Sequence, residues 1–255
     1  MPEVETPSAA APRSRTARER VRRELTAEIL AVARRHLGRE GAAALSLRSV
    51  ARELGMAPSA LYRYFDSRDA LLSALILDAF ESLAAEAEAA AGVAGAGGAD
   101  GETSGPGDAV GAVERWLAVP RAVRAWALAH PHEWGLVFGT PVPGYEAPQS
   151  TVAPYARVAA AMSRPVVEAF AAGRLRPAGS LGPRPDAAAA SVAPVAAALL
   201  PGVPAGNVVA AVGAWSTVVG MVSLEVFGHW RNTVLDPEVF FDATMRDLAR
   251  RVGLG

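Results

Sequence analysis

The sequence predicts an all-α protein, and three observations support this fold class. Apolar residues recur every three or four positions, for example at Val21, Leu25, Ile29, Val32 and Leu37, as on the buried face of a helix. No long alternating run of Val, Ile and Thr stands between hairpin turns, as strands would require. The composition is 51% hydrophobic but only 6% aromatic, so a helical core must consist largely of Ala, Leu and Val.

Charge and cysteine content limit the functions open to the chain. Residues 1–80 carry 13 Arg and 10 acidic residues, whereas residues 81–255 carry 12 Arg and 16 acidic residues. A basic front suits a polyanionic partner, although an ordinary solvated surface has the same bias in some proteins. The absence of Cys excludes disulfides, thiolate metal sites and Cys nucleophiles.

The N-terminal segment, residues 1–17, is rich in Pro, Ala, Ser and Arg, so we expect a disordered basic arm. Residues 13–23 carry six Arg and one acidic residue. This basic stretch either contacts a DNA groove and its phosphates or is part of a solvated tail. Residues 1–20 lack the apolar region of a secretory signal. The apolar segment Val208–Phe227 contains Glu225, which favours a buried or dimer helix over a membrane span. We therefore expect a cytoplasmic protein without a membrane anchor.

Three helices are predicted before residue 65. The first begins near Arg18, and Gly38 and Gly41 end it because Gly is a poor helix former. Ser46 is a good N-cap for a second, short helix that Gly55 stops. Residues 58–64 form the third, since Pro is tolerated in the first helical turn.

A long fourth helix and a flexible loop follow. Ser67 is a suitable N-cap, and an apolar stripe runs from Leu71 to Leu83 before fading near Ala91. Residues 92–108 are rich in Gly and form the predicted loop. Further helices are expected near residues 109–118, 120–129, 151–173, 186–200, 205–228 and 237–252.

The segment Leu45–Phe65 predicts a helix-turn-helix. Its two short helices are joined by a turn of small residues around Gly55, which sets their crossing angle. Leu61 and Phe65 would pack against the first helix as core residues. The side chains that fall away from that packed line are Ser59, Ala60, Tyr62, Arg63 and Tyr64. An ordinary helical hairpin is the alternative explanation of this pattern.

These exposed residue types suit a DNA groove. Small residues allow the backbone to approach base edges, and Arg can bridge O6 and N7 of guanine. Tyr hydroxyls bond to phosphate oxygens, which set register without reading sequence. Arg68, at the start of the fourth helix, adds another charge suited to phosphate.

Residues 18–83 resemble the N-terminal domain of TetR-family (tetracycline-repressor-like) regulators. The motifs that carry the resemblance are LSLRSVARELGM and SALYRYFDSRDALL. The second is the more specific. It contains an aromatic residue, any residue, a second aromatic residue and a Phe, followed by a short polar turn, a basic residue and a Leu pair. The resemblance implies a DNA-binding domain at residues 18–68 and a helical ligand-binding and dimerisation domain at residues 69–255.

The resemblance also implies roles at the matching positions. Base-edge or groove contacts are implied for Arg48, Ser59, Ala60 and Arg63; phosphate contacts for Ser46 and Arg68; and phosphate or thymine-methyl contacts for Tyr62 and Tyr64. Two alternatives remain open: a surface salt bridge from Arg48 to Glu53 or a neighbouring residue, and partial packing of Tyr62 on the first helix.

The segment Ala125–Tyr145 is similar to a subgroup of C-terminal domains with a Trp/His/Gly (WHG) signature. Within it, His130, His132 and Glu133 suggest a metal site, but zinc usually takes three or four ligands and no further ligand lies nearby. We expect a structural helix end here, no metal and no cofactor.

An apolar pocket between helices is the expected ligand site. Its candidate lining residues are Trp116, Trp126, Trp134, Phe138, Tyr155, Met162, Phe170, Trp215 and Met221, for each of which a plain core role is the alternative. The small residues of the helix Asn207–Phe227, together with Pro237–Val252, predict a homodimer through the last two long helices. Burial of that helix within its own subunit is the alternative.

The function that the resemblance implies is a ligand-responsive transcriptional regulator, by default a repressor of a palindromic double-stranded operator. A small hydrophobic effector would tilt the long helix Asp69–Ala90 and lower DNA affinity. One alternative is a regulator controlled by a protein partner or by no ligand. A helical enzyme is the other, but the sequence contains no nucleophile–base–acid set and no phosphate-binding loop.

Overall fold

Eleven α-helices and two short 3-10 helices make up this computed structural model, which describes residues 12–96, 106–179 and 183–255 and contains no strand within them. The all-α fold class is therefore confirmed. Most of the predicted disordered arm, residues 1–11, and most of the predicted loop, residues 97–105, lie outside the described residues.

The first part of the chain contains four helices. They are α1 (Pro12–Glu40), α2 (Leu47–Glu53), α3 (Pro58–Leu61) and α4 (Arg68–Ala96), with a 3-10 helix at Ala42–Ala44. The prediction of a disordered arm is wrong for residues 12–17, which belong to α1. Pro12 stands at the first helical position, where its fixed φ favours a helix start, and the Arg and Glu that follow are good helix formers. The predicted loop is likewise shorter than expected, because Gly92 continues α4.

The second part contains seven helices. They are α5 (Pro106–Ala129), α6 (Pro131–Phe138), α7 (Val152–Ala171), α8 (Pro185–Ser191), α9 (Ala193–Leu199), α10 (Ala205–Val226) and α11 (Pro237–Val252), with a 3-10 helix at Gln149–Thr151. The predicted helices at 109–118 and 120–129 are one helix, α5, which continues through Pro120. A Pro inside a helix costs about 3 kcal/mol, and burial of Leu117, Val119 and Val123 around it offsets that cost.

Two further boundaries differ from the prediction. The expected helix at 186–200 is divided at Val192, because Pro194 lacks the backbone N–H that a continuous helix would need there. Helix α6 was not predicted; Pro131 starts it, and only His130 separates it from the end of α5 at Ala129.

The chain folds into two units, and the division falls at Leu75 within α4. The first unit contains the described residues up to Leu75 together with Val142–Tyr145, and the second contains Ile76–Pro141 and Glu146–Gly255. Within the first unit, the hydroxyls of Ser73 and Tyr145 are hydrogen-bonded at 2.9 Å, which attaches the short segment to α4.

Each unit has its own apolar core. In the first, one face of α1 packs with α2, α3 and the start of α4; the fully buried side chains include Ile29, Ala33, Val50, Leu61, Leu71 and Leu72. In the second, α5, α7, α10 and α11 pack together; the largest fully buried side chains are Leu83, Trp116, Leu117, Trp134, Leu200, Phe241 and Met245. Burying one such Leu or Phe stabilises the fold by about 1.5–3 kcal/mol.

Candidate functional site

The turn between α2 and α3 has the geometry of a helix-turn-helix. Gly55 has φ +66°, a left-handed conformation that other residues seldom adopt. This conformation lets the N–H of Met56 donate to the carbonyl of Ala51 at 2.9 Å, which ends α2. The chain then reverses and Pro58 starts α3.

Helix α3 and the turn after it present the predicted recognition residues. Leu61 and Phe65 are buried, as predicted. Ser59 and Arg63 are exposed, Tyr62 is 46% exposed, and Ala60 and Tyr64 are half-buried. The third helix was predicted to reach residue 64 but is a single turn, so Tyr62, Arg63 and Tyr64 stand on the tight turn that follows it.

The half-buried Tyr64 makes a cation–π contact with α1. The guanidinium carbon of Arg22, on α1, lies 5.9 Å from the centre of the Tyr64 ring. Such a contact contributes about 0.5–1 kcal/mol at an exposed site. It connects α1 to the turn after α3.

The carboxylate of Glu53 fastens α1 to α2. It accepts hydrogen bonds from Arg39 at 2.8 Å, from Arg35 at 3.0 and 3.1 Å, and from Nε2 of the buried His36 at 2.8 Å. The guanidinium groups of Arg39 and Arg35 lower the pKa of Glu53 to about 2. Sequence reasoning missed this cluster, although Arg35, His36 and Arg39 share one face of a helix at i, i+1 and i+4.

Arg48 is exposed on α2. The alternative interpretation of Arg48 was a salt bridge to Glu53, but that carboxylate pairs with Arg35, His36 and Arg39. Ser46 occupies the predicted N-cap position of α2, and its side chain makes no capping hydrogen bond. At the N-terminal end of α2, Arg48 is therefore exposed and Ser46 is half-buried.

Arg68 has a structural role that the sequence did not predict. Its guanidinium donates to the carbonyls of Ala42 at 2.9 Å, Leu45 at 3.2 Å and Ala43 at 3.3 Å, and it approaches Asp69 at 3.5 Å. These carbonyls end the 3-10 helix, so Arg68 stabilises the chain between α1 and α2. We leave it out of the proposed DNA interface because these contacts use four of its five N–H donors.

The second unit contains a partly open cavity of about 170 Å³. Four of the predicted pocket residues line it, namely Trp116, Tyr155, Met162 and Trp215, and the remaining lining residues are Ala159, Ser163, Val195, Leu199, Leu200, Ala211 and Val212. No charged side chain is among these described lining residues. The indole N–H of Trp215 donates to the hydroxyl of Tyr155 at 2.9 Å.

The other five predicted pocket residues lie elsewhere in the second unit. Trp134 is fully buried and donates to the hydroxyl of Ser223 at 3.1 Å, while Trp126 donates to Ser82 at 3.0 Å. The Phe138 ring contacts the Trp134 ring, with ring centres 4.4 Å apart and ring planes tilted by 40°. The two others are a surface residue, Phe170, and a core residue, Met221.

The candidate metal residues form a helix end instead. The ring of His130 stacks on Trp126 with centres 4.9 Å apart, and its Nδ1 donates to the Trp126 carbonyl at 2.9 Å. His132 is exposed. Across the part of the chain that the structure describes, no three His, Asp or Glu side chains are grouped as metal ligands would be.

One face of α10 is exposed although the helix is apolar. Only a third of its most apolar stretch is buried, and by length and composition alone the helix could cross a membrane. Gly213, Ser216, Gly220, Leu224 and Phe227 follow one another along the exposed face at three- or four-residue spacing. Val239 and Phe240 on α11 are exposed as well.

Both parts of the chain match known families. Residues 29–75 match the family described as bacterial regulatory proteins, tetR family, and residues 116–248 match the tetracyclin repressor-like C-terminal domain. The chain is 37% identical over 237 residues to the HTH-type transcriptional regulators Rv1816 of Mycobacterium tuberculosis (strain ATCC 25618 / H37Rv) and Mb1846 of Mycobacterium bovis, covering 90% of this chain and 92% of each relative. Membership of the WHG subgroup stays a prediction.

Solved structures agree with these matches. SCO4313 is 35% identical with a TM-score of 0.69, over 90% of this chain and 97% of that one. The TetR family transcriptional regulator PfmR from Thermus thermophilus is 17% identical with a TM-score of 0.54, over 87% of this chain and 97% of that one, and shares the fold. The chain belongs to the TetR family and is a transcriptional regulator with a DNA-binding N-terminal domain, not an enzyme.

Proposed function

We propose that this regulator is a repressor that a small, neutral, largely hydrophobic molecule releases from a palindromic operator. The observation that carries the proposal is the 170 Å³ cavity in the second unit, whose lining has no charged side chain. An ionised effector would lose its hydration in this cavity without gaining a charged partner, which is unfavourable. A neutral effector meets no such cost.

The size of the cavity limits the effector to about one substituted ring. An engineered cavity of about 150 Å³ in another protein binds benzene, and the present cavity is similar in volume at about 170 Å³. Trp116 and Trp215 supply flat apolar walls for such a ring.

Two hydroxyl groups give the cavity limited polarity. Tyr155 accepts a hydrogen bond from Trp215 and retains its own proton to donate to an effector. Ser163 donates to the Ala159 carbonyl at 2.9 Å, so its oxygen can accept a hydrogen bond. An effector with one polar group, such as a hydroxyl or an N–H, fits this pair.

On the DNA side, Arg63, Ser59, Ala60 and Arg48 are the proposed groove contacts. Ser46 is a proposed phosphate contact, and Tyr62 and Tyr64 are proposed phosphate or thymine-methyl contacts. The exposure of Ser59, Tyr62 and Arg63 supports this assignment. The DNA-binding domain is proposed to comprise residues 18–68, and residues 69–255 to bind the effector and the second subunit.

The second subunit is proposed to pack on α10 and α11. A palindromic operator needs two recognition elements about one DNA turn apart, which a two-fold dimer supplies. The exposed apolar face of α10 supports this role, because small residues such as Gly213 and Gly220 permit close helix packing. In such a dimer the partner subunit, and not a membrane, would cover the apolar face of α10. We therefore propose that the protein acts in the cytoplasm.

Helix α4 is the proposed route from effector to DNA. Its residues up to Leu75 belong to the first unit and those from Ile76 to the second, so movement of one end affects the other. An effector can lower DNA affinity only if it binds the DNA-incompetent state more tightly.

Binding of a neutral effector is tested by thermal unfolding of the full chain in the presence of indole, phenol or benzoate. We expect neutral indole or phenol to raise the melting temperature and to release operator DNA, and charged benzoate to do neither. The matched variants are Ala159→Leu, which fills the cavity, and Ala160→Leu, on the exposed side of the same helix. If Ala159→Leu abolishes the rise in melting temperature and Ala160→Leu does not, the cavity is supported as the effector site. Absence of any shift with either neutral probe would instead favour control by a protein partner or by no ligand.

Operator binding is tested by selecting DNA sequences from a random duplex pool with the full-length protein. An inverted repeat with half-sites about one DNA turn apart, or a multiple of it, is the expected product. A single, unrepeated site or no enrichment would contradict the proposed dimeric repressor.

A further inference from the structure

A second concave surface lies in the first unit, between α1 and α3. This cleft has a volume of about 500 Å³, roughly three times that of the effector cavity. Its α1 wall consists of Arg18, Val21, Arg22 and Leu25, and its other wall of Met56, Ala60, Arg63 and Tyr64. It is separate from the effector cavity, since all of its lining residues belong to the first unit.

The charge of the cleft has one sign. Three of the eight lining residues are Arg, and no acidic residue is among them. Arg18 and Arg22 are four positions apart on α1, so they lie one above the other on the same helix face. Both are exposed, and Arg63 faces them from the turn after α3.

The helical state of α1 sets the spacing of these cations. Arg18 and Arg22 lie inside helix α1, so their backbone already has a regular helical conformation. The contact of Arg22 with the Tyr64 ring orients one of these side chains toward α3. A preordered cation loses less conformational entropy on binding than one in a disordered arm.

We propose that this cleft binds the DNA backbone beside the bases that α3 reads, with Arg18 and Arg22 as phosphate contacts. The proposal rests on the proposed operator binding. Ala60 and Arg63 line the cleft and are also the proposed groove contacts, so DNA that reaches them lies next to Arg18 and Arg22. Val21 and Met56 give the two walls apolar surface on which a deoxyribose can pack.

The same helix provides a matched control. Arg20 lies near Glu24 at 3.8 Å, and neither Arg20 nor Arg23 lines the cleft. The double variants Arg18→Ala/Arg22→Ala and Arg20→Ala/Arg23→Ala remove the same charge from the same stretch of α1. A difference between them therefore reports the cleft and not the net charge.

The experiment measures affinity of the full-length variants for the selected operator between 50 and 200 mM salt. Each lost phosphate contact reduces the magnitude of the negative slope of log K against log salt by about 0.9. For the Arg18→Ala/Arg22→Ala variant we therefore expect the magnitude to fall by about 1.8. The slope of the control variant should stay near that of the wild type. We expect an affinity loss of about 10- to 100-fold for the cleft variant at 100 mM salt. Arg18→Lys/Arg22→Lys should restore most of the slope, because Lys also contacts phosphate as a point charge.

The outcomes separate this proposal from operator binding itself. Equal losses in the two double variants, or none in either, would overturn the cleft proposal. If Arg63→Ala also left binding to the selected operator unchanged, the proposed function of α3 would fail as well. Circular dichroism of each variant confirms that α1 and the remaining helices are still folded.

Discussion

The indole N–H of Trp215 donates a 2.9 Å hydrogen bond to the hydroxyl of Tyr155, and both side chains line the effector cavity. The bond connects α10 to α7 across the cavity wall. Removing the hydroxyl leaves the half-buried indole N–H without this acceptor.

We therefore expect Tyr155→Phe to lower the free energy of unfolding by about 1–2 kcal/mol. Urea unfolding monitored by circular dichroism measures the change. Tyr62→Phe is the control, because Tyr62 is exposed and its hydroxyl lies at the surface. An equal effect of the two substitutions would mean that the bond to Trp215 adds nothing.

Arg63→Ala should relax base specificity. If Arg63 bridges a guanine, its loss costs about 1–3 kcal/mol on the preferred operator and much less on a sequence altered at that base pair. Tyr62→Phe should weaken binding to both sequences equally, because a phosphate contact is independent of sequence. Fluorescence anisotropy on the two duplexes measures this; a uniform loss for Arg63→Ala would contradict its base-reading role.

The Glu53 cluster predicts an acid-dependent stability. The folded pKa of Glu53 is about 2, below its ordinary value of 4.5, because Arg39 and Arg35 stabilise the carboxylate. A lowered folded pKa contributes stability that is present above pH 4.5 and is lost as the pH falls from there toward 2. Glu53→Gln lacks this contribution.

The melting temperatures of wild type and Glu53→Gln should therefore converge as the pH falls through that window. Glu24→Gln is the control, since Glu24 makes an exposed contact with Arg20 within one helix and should change little. A constant gap between wild type and Glu53→Gln from pH 7 to pH 3 would show that the ionised carboxylate is not the cause.

Gly220→Arg should convert the proposed dimer into a monomer. A Cβ at Gly220 meets nothing within 4 Å in its own subunit, so the subunit itself tolerates the change. In a closely packed interface the long side chain would separate the two helices. Sedimentation velocity measures the state, with Ala89→Arg on the exposed side of α4 as the control; a dimer in Gly220→Arg would place the interface elsewhere.

Gly253→Ala should destabilise the second unit. Gly253 has φ +104°, and a Cβ there would lie 2.3 Å from the Arg176 carbonyl and 2.6 Å from Nδ2 of Asn207. We expect a loss of about 1–3 kcal/mol. Gly92→Ala, in α4 with nothing within 4 Å, should instead gain about 0.5–1 kcal/mol. Thermal unfolding of the two variants checks the contrast, and equal effects would contradict it.

The helix-turn-helix was predictable from the sequence because its determinants are local. The N-cap position of Ser46, the positive φ of Gly55 and the first-turn position of Pro58 depend on residues only a few positions away. Ser67 likewise caps α4 as predicted, accepting a hydrogen bond from the N–H of Ala70 at 3.0 Å. Burial of Leu61 follows from the same short-range periodicity.

Contacts between distant residues decided what the sequence could not. Arg68 meets carbonyls that lie 23 to 26 positions earlier, so its structural role is invisible in the local motif. Four of the nine predicted pocket residues line the cavity, because its walls come from α5, α7, α9 and α10 and depend on how these helices pack. Residue type and periodicity determined that this chain is an all-α regulator with a helix-turn-helix; packing alone decided which aromatic side chains enclose space and which fill the core.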